Sequence, residues 1–407
     1  MESKRILITG LSSWWGGRLA QTLEAQADVE TIIGVDGEDP RHALDRTEFV
    51  RVDPDPAVLR RIIAAAGIDT VVDTRVLADP RLASPGHARK VNVSNTRSLL
   101  EACEGGKVRK LVFKSSAHVY GSSAEDPAFF SEEMRPSRVS GGLQRDLVEA
   151  EGLVADFALR NSGTAVTVLR FADPLVGEPG SSHLMLLSLP VVPSVLGFDP
   201  RLQFVHDEDV MGAFGHVVRK RLPGTFNVAG DGVLTLSETV SLLGKPMLPV
   251  LPPWGFTFAV AQLRRLGLRV PAELVRQLRH GRGLDNRRLK ASGYRYRYTT
   301  RETVLKLRAH QRLRPLLGSG DAAYRYDREL EEFLRRSPSV RPAGTEDGAA
   351  VDEDELTEAE LLEVMSSLDA AGLEQLRTYE LAHRRRKHVL DALEHNLARK
   401  QDPGGLN

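Results

Sequence analysis

Gly10 and Gly16 bracket the stretch Thr9-Gly10-Leu-Ser-Ser13-Trp14-Trp15-Gly16, which lies between an apolar run and a helical pattern. Residues of this kind hold a diphosphate: a tight turn, a bare backbone close to the phosphates, and amides at a helix N-terminus to meet the charge. Asp36 closes the next apolar run. A carboxylate there accepts hydrogen bonds from an adenosine ribose and repels a 2′-phosphate, which favours NAD over NADP. Ser13 stands where a third glycine would leave the backbone bare, so its hydroxymethyl group either bonds a phosphate or crowds it. Trp14 and Trp15 are expected in the core, with Trp15 a candidate to line the nicotinamide end. The competing reading is a retained fold around a vestigial pocket, because tight turns use glycine in any case.

The elements that must position these residues follow from the hydrophobic pattern. Arg5 to Thr9, Thr31 to Asp36, Phe49 to Val52, Thr70 to Asp73, Lys110 to Ser115 and Val166 to Arg170 read as strands. Between them Gly17 to Gln26, Ala57 to Ala66, Val91 to Cys103 and Gln144 to Arg160 read as helices. Strands alternating with helices imply an α/β Rossmann fold, a doubly wound parallel sheet covered on both faces. This domain is expected over residues 1–176. Residues 177–315 form a smaller mixed lobe over the carboxyl edge of the sheet, with helical stretches at Glu238 to Leu243, Phe256 to Leu268 and Pro271 to His280. A charged helix follows at 316–336, then a flexible acidic linker at 337–355. A C-terminal helical hairpin is expected at 356–400, opened by the capping box of Thr357 and Glu360, broken at Gly372, and continued by a helix carrying Leu373, Leu376, His383, Leu390, Leu393 and Leu397.

The whole composition adds exclusions. The 407 residues carry 55 Lys and Arg against 55 Asp and Glu, so nothing global points to nucleic acid or a membrane surface. Cys103 is the only cysteine, which excludes an internal disulfide and multi-cysteine metal sites and fits a reducing compartment. With no apolar run near the ~20 residues of a membrane span and no secretory leader pattern, a cytoplasmic location is expected.

Further motifs identify the chain as resembling the extended short-chain dehydrogenase/reductases, the NAD-dependent epimerase/dehydratase family that acts on nucleotide sugars. They are Val52-Asp53, Lys90-Val-Asn92, Ser115-Ser116-Ala-His-Val-Tyr120-Gly121, Leu169-Arg170, Phe204-Val-His206-Asp-Glu-Asp209, Gly224-Thr-Phe-Asn227, and Gly293-Tyr294 with Tyr298-Thr299. The resemblance runs from Arg5 to about His310 and is strongest to actinobacterial proteins labelled sugar epimerases. It implies Asp53 on the adenine side and Asn92 beside the cofactor. It places Asp73-Thr74-Arg75 where relatives often carry His-Leu-Ala-Ala. Arg75 there would clamp a phosphate or fill the nicotinamide space; its ordinary alternative is a solvated loop arginine.

The resemblance also implies a Ser, here Ser116, that orients the substrate hydroxyl, a Tyr general base, and a Lys four residues later. Positions four apart share a helical face, so both groups would meet one cofactor. In this chain Leu143 occupies the Tyr position and Leu147 the Lys position, and no tyrosine has a lysine four residues on. Arg145 is rotated about 200° from the Leu143 face. Ser116 without its partner reads as a structural hydroxyl at a strand end. Non-standard bases would be Asp73, Asp146 or His118. The cluster Asp207, Glu208 and Asp209 reads as structural, and no metal is expected.

The expected function is therefore a catalytically degenerate relative that binds NAD or a nucleotide sugar in a regulatory or scaffolding role. The alternative is an active NAD-dependent nucleotide-sugar epimerase or oxidoreductase with another base. A third reading is a nucleic-acid or membrane-surface binder acting through the basic run His383 to His388. The acidic neighbours Glu374, Glu380, Asp391 and Glu394 argue instead for an ordinary solvated helix face. The hairpin is a candidate contact for a protein partner, and the resemblance implies a homodimer formed through Gln144 to Arg160.

Overall fold

The computed structural model describes residues 3–79, 81, 84–105, 108–136, 138–139, 141–175, 181–251, 272–312, 370–382 and 386–401. The charged helix at 316–336, the linker at 337–355, the helix at Phe256 to Leu268 and the capping box at Thr357 lie outside them. The chain forms two compact units, residues 1–320 and 321–407.

In the first unit, seven strands form one parallel sheet: β1 (Arg5–Thr9), β2 (Thr31–Asp36), β3 (Thr47–Arg51), β4 (Thr70–Asp73), β5 (Lys110–Ser116), β6 (Ala165–Phe171) and β7 (Gly224–Val228). Their spatial order is β7-β6-β5-β4-β1-β2-β3. The direction of winding reverses between β1 and β4, and ligands of such sheets sit outside the carboxyl ends of strands at that reversal. The loops after β1 and β4 carry Gly10 and Thr74-Arg75. Central strands are apolar on both faces because helices cover both: Ile6, Leu7, Ile8, Val71, Val72, Leu111 and Val112 are inaccessible to solvent.

The covering helices are α1 (Trp14–Glu24), α2 (Pro56–Ala65), α3 (Pro85–Cys103, with a π-helical turn at Lys90–Ser94), α4 (Gly142–Arg160) and α5 (Asp207–Arg219). Each start has a local cause. Asp55 accepts hydrogen bonds from the amides of Ala57 and Val58, and Pro56 stands at the first helical position. The seventh strand comes from beyond residue 177, so the sheet draws on sequence that the hydrophobic alternation assigns to the lobe. Buried Lys110 joins the same edge together, donating to Ser3 Oγ at 3.0 Å and to the Val218 carbonyl at 2.6 Å.

The lobe has its own core, including Leu186, Leu187, Phe204, Leu236, Leu274, Val304 and Leu307. Four short strand pairs lie outside the main sheet; three pair lobe segments with one another or with Asp173–Pro174, and the fourth joins Gly283–Leu284 to Phe129–Phe130. Asp209 at the start of α5 accepts from the amides of Arg297 and Tyr298 at 2.8 and 3.0 Å, which makes that carboxylate an anchor for the 294–298 turn.

The second unit is a helical hairpin of Ala370–Ala382 and Lys387–Gln401. It differs from the sequence reading in where it turns. Gly372 lies inside a helix instead of breaking it, and the single long helix expected from Leu373 onward is two. Leu373 and Leu376 of the first pack with Val389, Leu393 and Leu397 of the second. Glu380, fully buried, accepts from the Arg386 amide at 2.9 Å and from its Nε at 2.7 Å, tying the two helices where the chain reverses.

Candidate functional site

Gly10 ends β1 with φ +86°, a conformation that side chains disfavour. A Cβ there would also lie 2.7 Å from Arg75 Cγ and 2.9 Å from Thr74 Oγ1. A Cβ at Gly16 would run into the Gly10 carbonyl. These two glycines therefore let the β1–α1 turn close on the β4 loop, the arrangement a dinucleotide cradle needs. Ser13 caps α1: its Oγ accepts from the Gly16 amide at 3.0 Å and donates to the Gly10 carbonyl at 2.6 Å. Its backbone is extended, φ −68° and ψ 155°, so a side chain is tolerated where a glycine was expected.

Asp36, at the end of β2, receives three hydrogen bonds. Oδ2 accepts from the Ser12 amide at 3.0 Å and Ser12 Oγ at 2.5 Å, and Oδ1 accepts from the Gly37 amide at 2.8 Å. A carboxylate has about four acceptor positions, so Oδ1 retains capacity for a ribose hydroxyl. Asp53 is exposed close by, its Oδ1 facing Gly37. Half-buried Trp14 meets His42 edge-on at 5.1 Å between ring centroids, while Trp15 is almost wholly buried.

Arg75 is not a solvated loop residue. Its Nε and Nη2 grip Asp73 Oδ1 and Oδ2 at 2.9 and 2.8 Å, and Nη2 also donates to the Asn95 carbonyl at 3.2 Å. Burial works to raise the Asp73 carboxyl, but the Arg75 charge overcomes it and holds the group below its ordinary range. Thr9 Oγ1 adds a bond to Asp73 Oδ1 at 2.9 Å, and Thr74 Oγ1 donates to the Thr9 carbonyl at 2.9 Å. Thr9, Thr74 and Arg75 thus buttress the Gly10 turn from below. Asn92, on the π-helical turn, exchanges two bonds with the backbone of Leu77 at 2.8 and 2.9 Å and fixes the loop after β4.

Leu143 and Leu147 face inward from α4 and belong to the main core, Leu147 only 1% exposed. On the same helix Asp146 is paired with Arg89 at 2.7 Å. Other motif residues converge on a buried network. Glu151 of α4 holds Arg170 of β6 and Ser115 of β5, each at 2.5 Å. Arg170 donates to Tyr120 Oη at 2.7 Å, and Tyr120 donates to Asn227 Oδ1 at 2.8 Å.

Beside this network an open cleft is bordered by Trp15, Lys114, Ser116, His118, Asp173 and Ser181, among others. Ser116 Oγ accepts from the His118 amide at 3.2 Å, capping the turn Ala117–Tyr120. Lys114 is buried and donates to the Val76 carbonyl at 2.9 Å. His118 Nε2 lies 2.8 Å from Asp173 Oδ1, with His183 and Arg282 on the same carboxylate. Sequence reasoning named His118 but missed Asp173, His183 and Arg282. The signal available was the polar Asp173 directly after the buried run of β6. Among the described residues, no group of three or more His, Cys, Asp or Glu side chains is placed to hold a metal ion, and no helix is long and apolar enough to cross a membrane.

With the glycine turn, Asp36 and the reversal of the sheet in place, residues 6–229 match the NAD dependent epimerase/dehydratase family. The chain belongs to that family. It is 32% identical over 309 residues to an uncharacterised protein of Mycobacterium tuberculosis H37Rv, covering 74% of this chain and 82% of that one. A putative UDP-arabinose 4-epimerase of Arabidopsis thaliana is 26% identical over 183 residues, 44% of this chain and 38% of the relative. Among solved structures, MoeE5 in complex with UDP-glucose and NAD is similar with a TM-score of 0.57 and 22% identity, over 76% of this chain and 98% of that one. The UDP-glucuronic acid 4-epimerase of Bacillus cereus, in complex with UDP-glucuronic acid and NAD, has a TM-score of 0.59 and 16% identity, over 76% of this chain and 99% of that one. These two share the fold of this family member.

Proposed function

We propose that this epimerase/dehydratase family protein binds NAD on the β1–α1 turn and a nucleotide sugar in the adjoining cleft, and that occupancy serves a regulatory or scaffolding role. Turnover by a tyrosine–lysine relay is absent from this reading. What carries it is one contrast within the site: the dinucleotide turn is built to tolerances that exclude a methyl group at Gly10, while Leu143 and Leu147 put buried hydrocarbon where the relay would stand.

The residues present suit the cofactor. Gly10 and Gly16 keep the turn bare, Ser13 and the amides of α1 stand at the helix N-terminus, and Asp36 offers acceptor capacity to a ribose. NAD, when bound, supplies a hydride acceptor at its nicotinamide. α4 carries no lysine, so that helix offers no ammonium to hold the nicotinamide ribose. Nucleotide sugar as the second ligand is supported by the family and by the UDP-sugar complexes of proteins with the same fold.

Calorimetry and tryptophan fluorescence with NAD test the reading. Saturable binding is expected, weaker for NADP because of Asp36; no binding at millimolar NAD would overturn it. Absorbance at 340 nm with a panel of sugar nucleotides is expected to stay flat. Sustained NADH formation would replace the regulatory role by a catalytic one.

A further inference from the structure

The cleft holds polar groups to which the reading above gives no task. His118 sits on the turn that follows β5, with its side chain 11% exposed, and Asp173 follows β6, 19% exposed. Nε2 of the ring and Oδ1 of the carboxylate are 2.8 Å apart. Asp173 also faces His183 Nδ1 and Arg282 Nη2, each at 3.5 Å. Burial works to raise this carboxyl, and His183 and His118 more than offset it, so Asp173 is held well below the ordinary carboxylate range.

Nε2 of His118 faces Asp173, which leaves Nδ1 as the ring nitrogen available to a ligand. Among the described residues no hydrogen bond engages that second nitrogen. His118 borders the open cleft together with Ser116 and Trp15. A purely structural pairing would serve as well with both nitrogens engaged or with the ring fully enclosed; here one nitrogen is spared in a residue that lines a cleft.

We propose that His118, aimed by Asp173, hydrogen-bonds a ligand hydroxyl in this cleft, and so distinguishes a sugar nucleotide from the bare nucleotide. The inference rests on the reading that a nucleotide sugar binds there, and it names the protein group that recognises the sugar. His118 is the contact; Asp173 is a positioning residue.

Charged groups face this ring from each neighbouring element. Asp173 comes from its short strand, His183 from the helix Ser182–Ser188, Arg282 from beside Gly283–Leu284, Lys114 from β5, Asp79 from the loop after β4, and Arg276 from the helix Ala272–His280. Asp79 is engaged by the amide and hydroxyl of Ser182. Single substitutions at His118 and His183 separate the two rings.

The test is calorimetry on the full chain with UDP and UDP-glucose as probes, with and without saturating NAD. UDP-glucose is expected to bind about tenfold more tightly than UDP, the worth of one well-placed hydrogen bond. His118→Ala removes the margin and leaves UDP affinity unchanged. His118→Gln, which retains a hydrogen-bonding end, recovers part of the margin. Asp173→Asn narrows it, and His183→Ala leaves it in place. Equal margins in the parent protein and both His118 variants would overturn the proposal, as would UDP-glucose binding no tighter than UDP. Failure of NAD to bind, read separately in the same series, overturns the cofactor reading and leaves the sugar comparison to stand on the NAD-free titrations.

Discussion

A methyl group added at Gly10 has no room. Its φ of +86° strains any side chain, and Arg75 Cγ and Thr74 Oγ1 stand 2.7 and 2.9 Å from the new carbon. Arg75 cannot yield, because Asp73 holds it by two nitrogens. Gly10→Ala is therefore expected to cost about 1–3 kcal/mol in urea unfolding, the scale of a strained backbone position, and to weaken NAD binding at least about tenfold, roughly 1.4 kcal/mol. Gly152, inside α4 with nothing near its missing Cβ, is the control. Gly152→Ala should stabilise by about 0.5–1 kcal/mol, because only the helix propensity changes. Leu147 poses the reverse problem. Leu147→Lys would bring a cation into a position 1% exposed and surrounded by core. Several kcal/mol of lost stability are expected, about 3–5 for an unpaired buried charge, with no gain of absorbance at 340 nm. A fully stable Leu147→Lys protein would show that the α4 face is more open than its packing indicates.

Elements were legible where local chemistry alone decides them. The six expected strands coincide with β1 to β6 to within two residues, because the central ones are runs that must be apolar on both faces and the edge strand β3 still carries Phe49 and Val50. Gly10, Gly16 and Asp36 were equally readable, since a turn and a strand end fix their places. The His118–Asp173 pair was not. Its members are 55 residues apart and meet only because β5 and β6 are neighbours. Arg75 was ambiguous for a related reason: its sequence neighbour Asp73 was visible, but its position beneath Gly10 depends on β4 lying beside β1. The hairpin turn was misplaced because Gly372 signals a break, whereas Glu380 and Arg386 make the actual reversal by pairing across it. Arg386→Ala would remove the guanidinium from which a fully buried Glu380 accepts. Loss of about 3–5 kcal/mol from so small a unit predicts that residues 370–401 lose amide protection in hydrogen exchange, while β1 to β7 keep theirs.

For the first unit as a whole, acid should act in two stages. His42, His216 and His280 are each lowered from the ordinary histidine range, first by burial and then by neighbouring arginine or lysine charge. An unfolded chain therefore binds protons that the folded one refuses, and stability falls as pH drops through about 6.5. Asp73 and Asp173 are lowered as well, in spite of burial, by Arg75 and by the His183 and His118 side chains respectively. Their contribution is present above the unfolded carboxylate value of about 4 and is lost as pH falls from there through the folded value. Glu132 and Asp209 work in the opposite sense. Burial raises both, so they favour the folded state at low pH and withdraw that support as pH rises through their folded values. The urea midpoint should accordingly decline gently between about pH 7.5 and 5.5, then steeply below about pH 4. Asp73→Asn tests which group sets the steep limb. It leaves Arg75 buried without its counter-charge, so the variant is less stable at neutral pH, yet its acid limb should be shallower than that of the parent. An unchanged limb would move the acid sensitivity away from the ion pair beneath the glycine turn and onto Asp173.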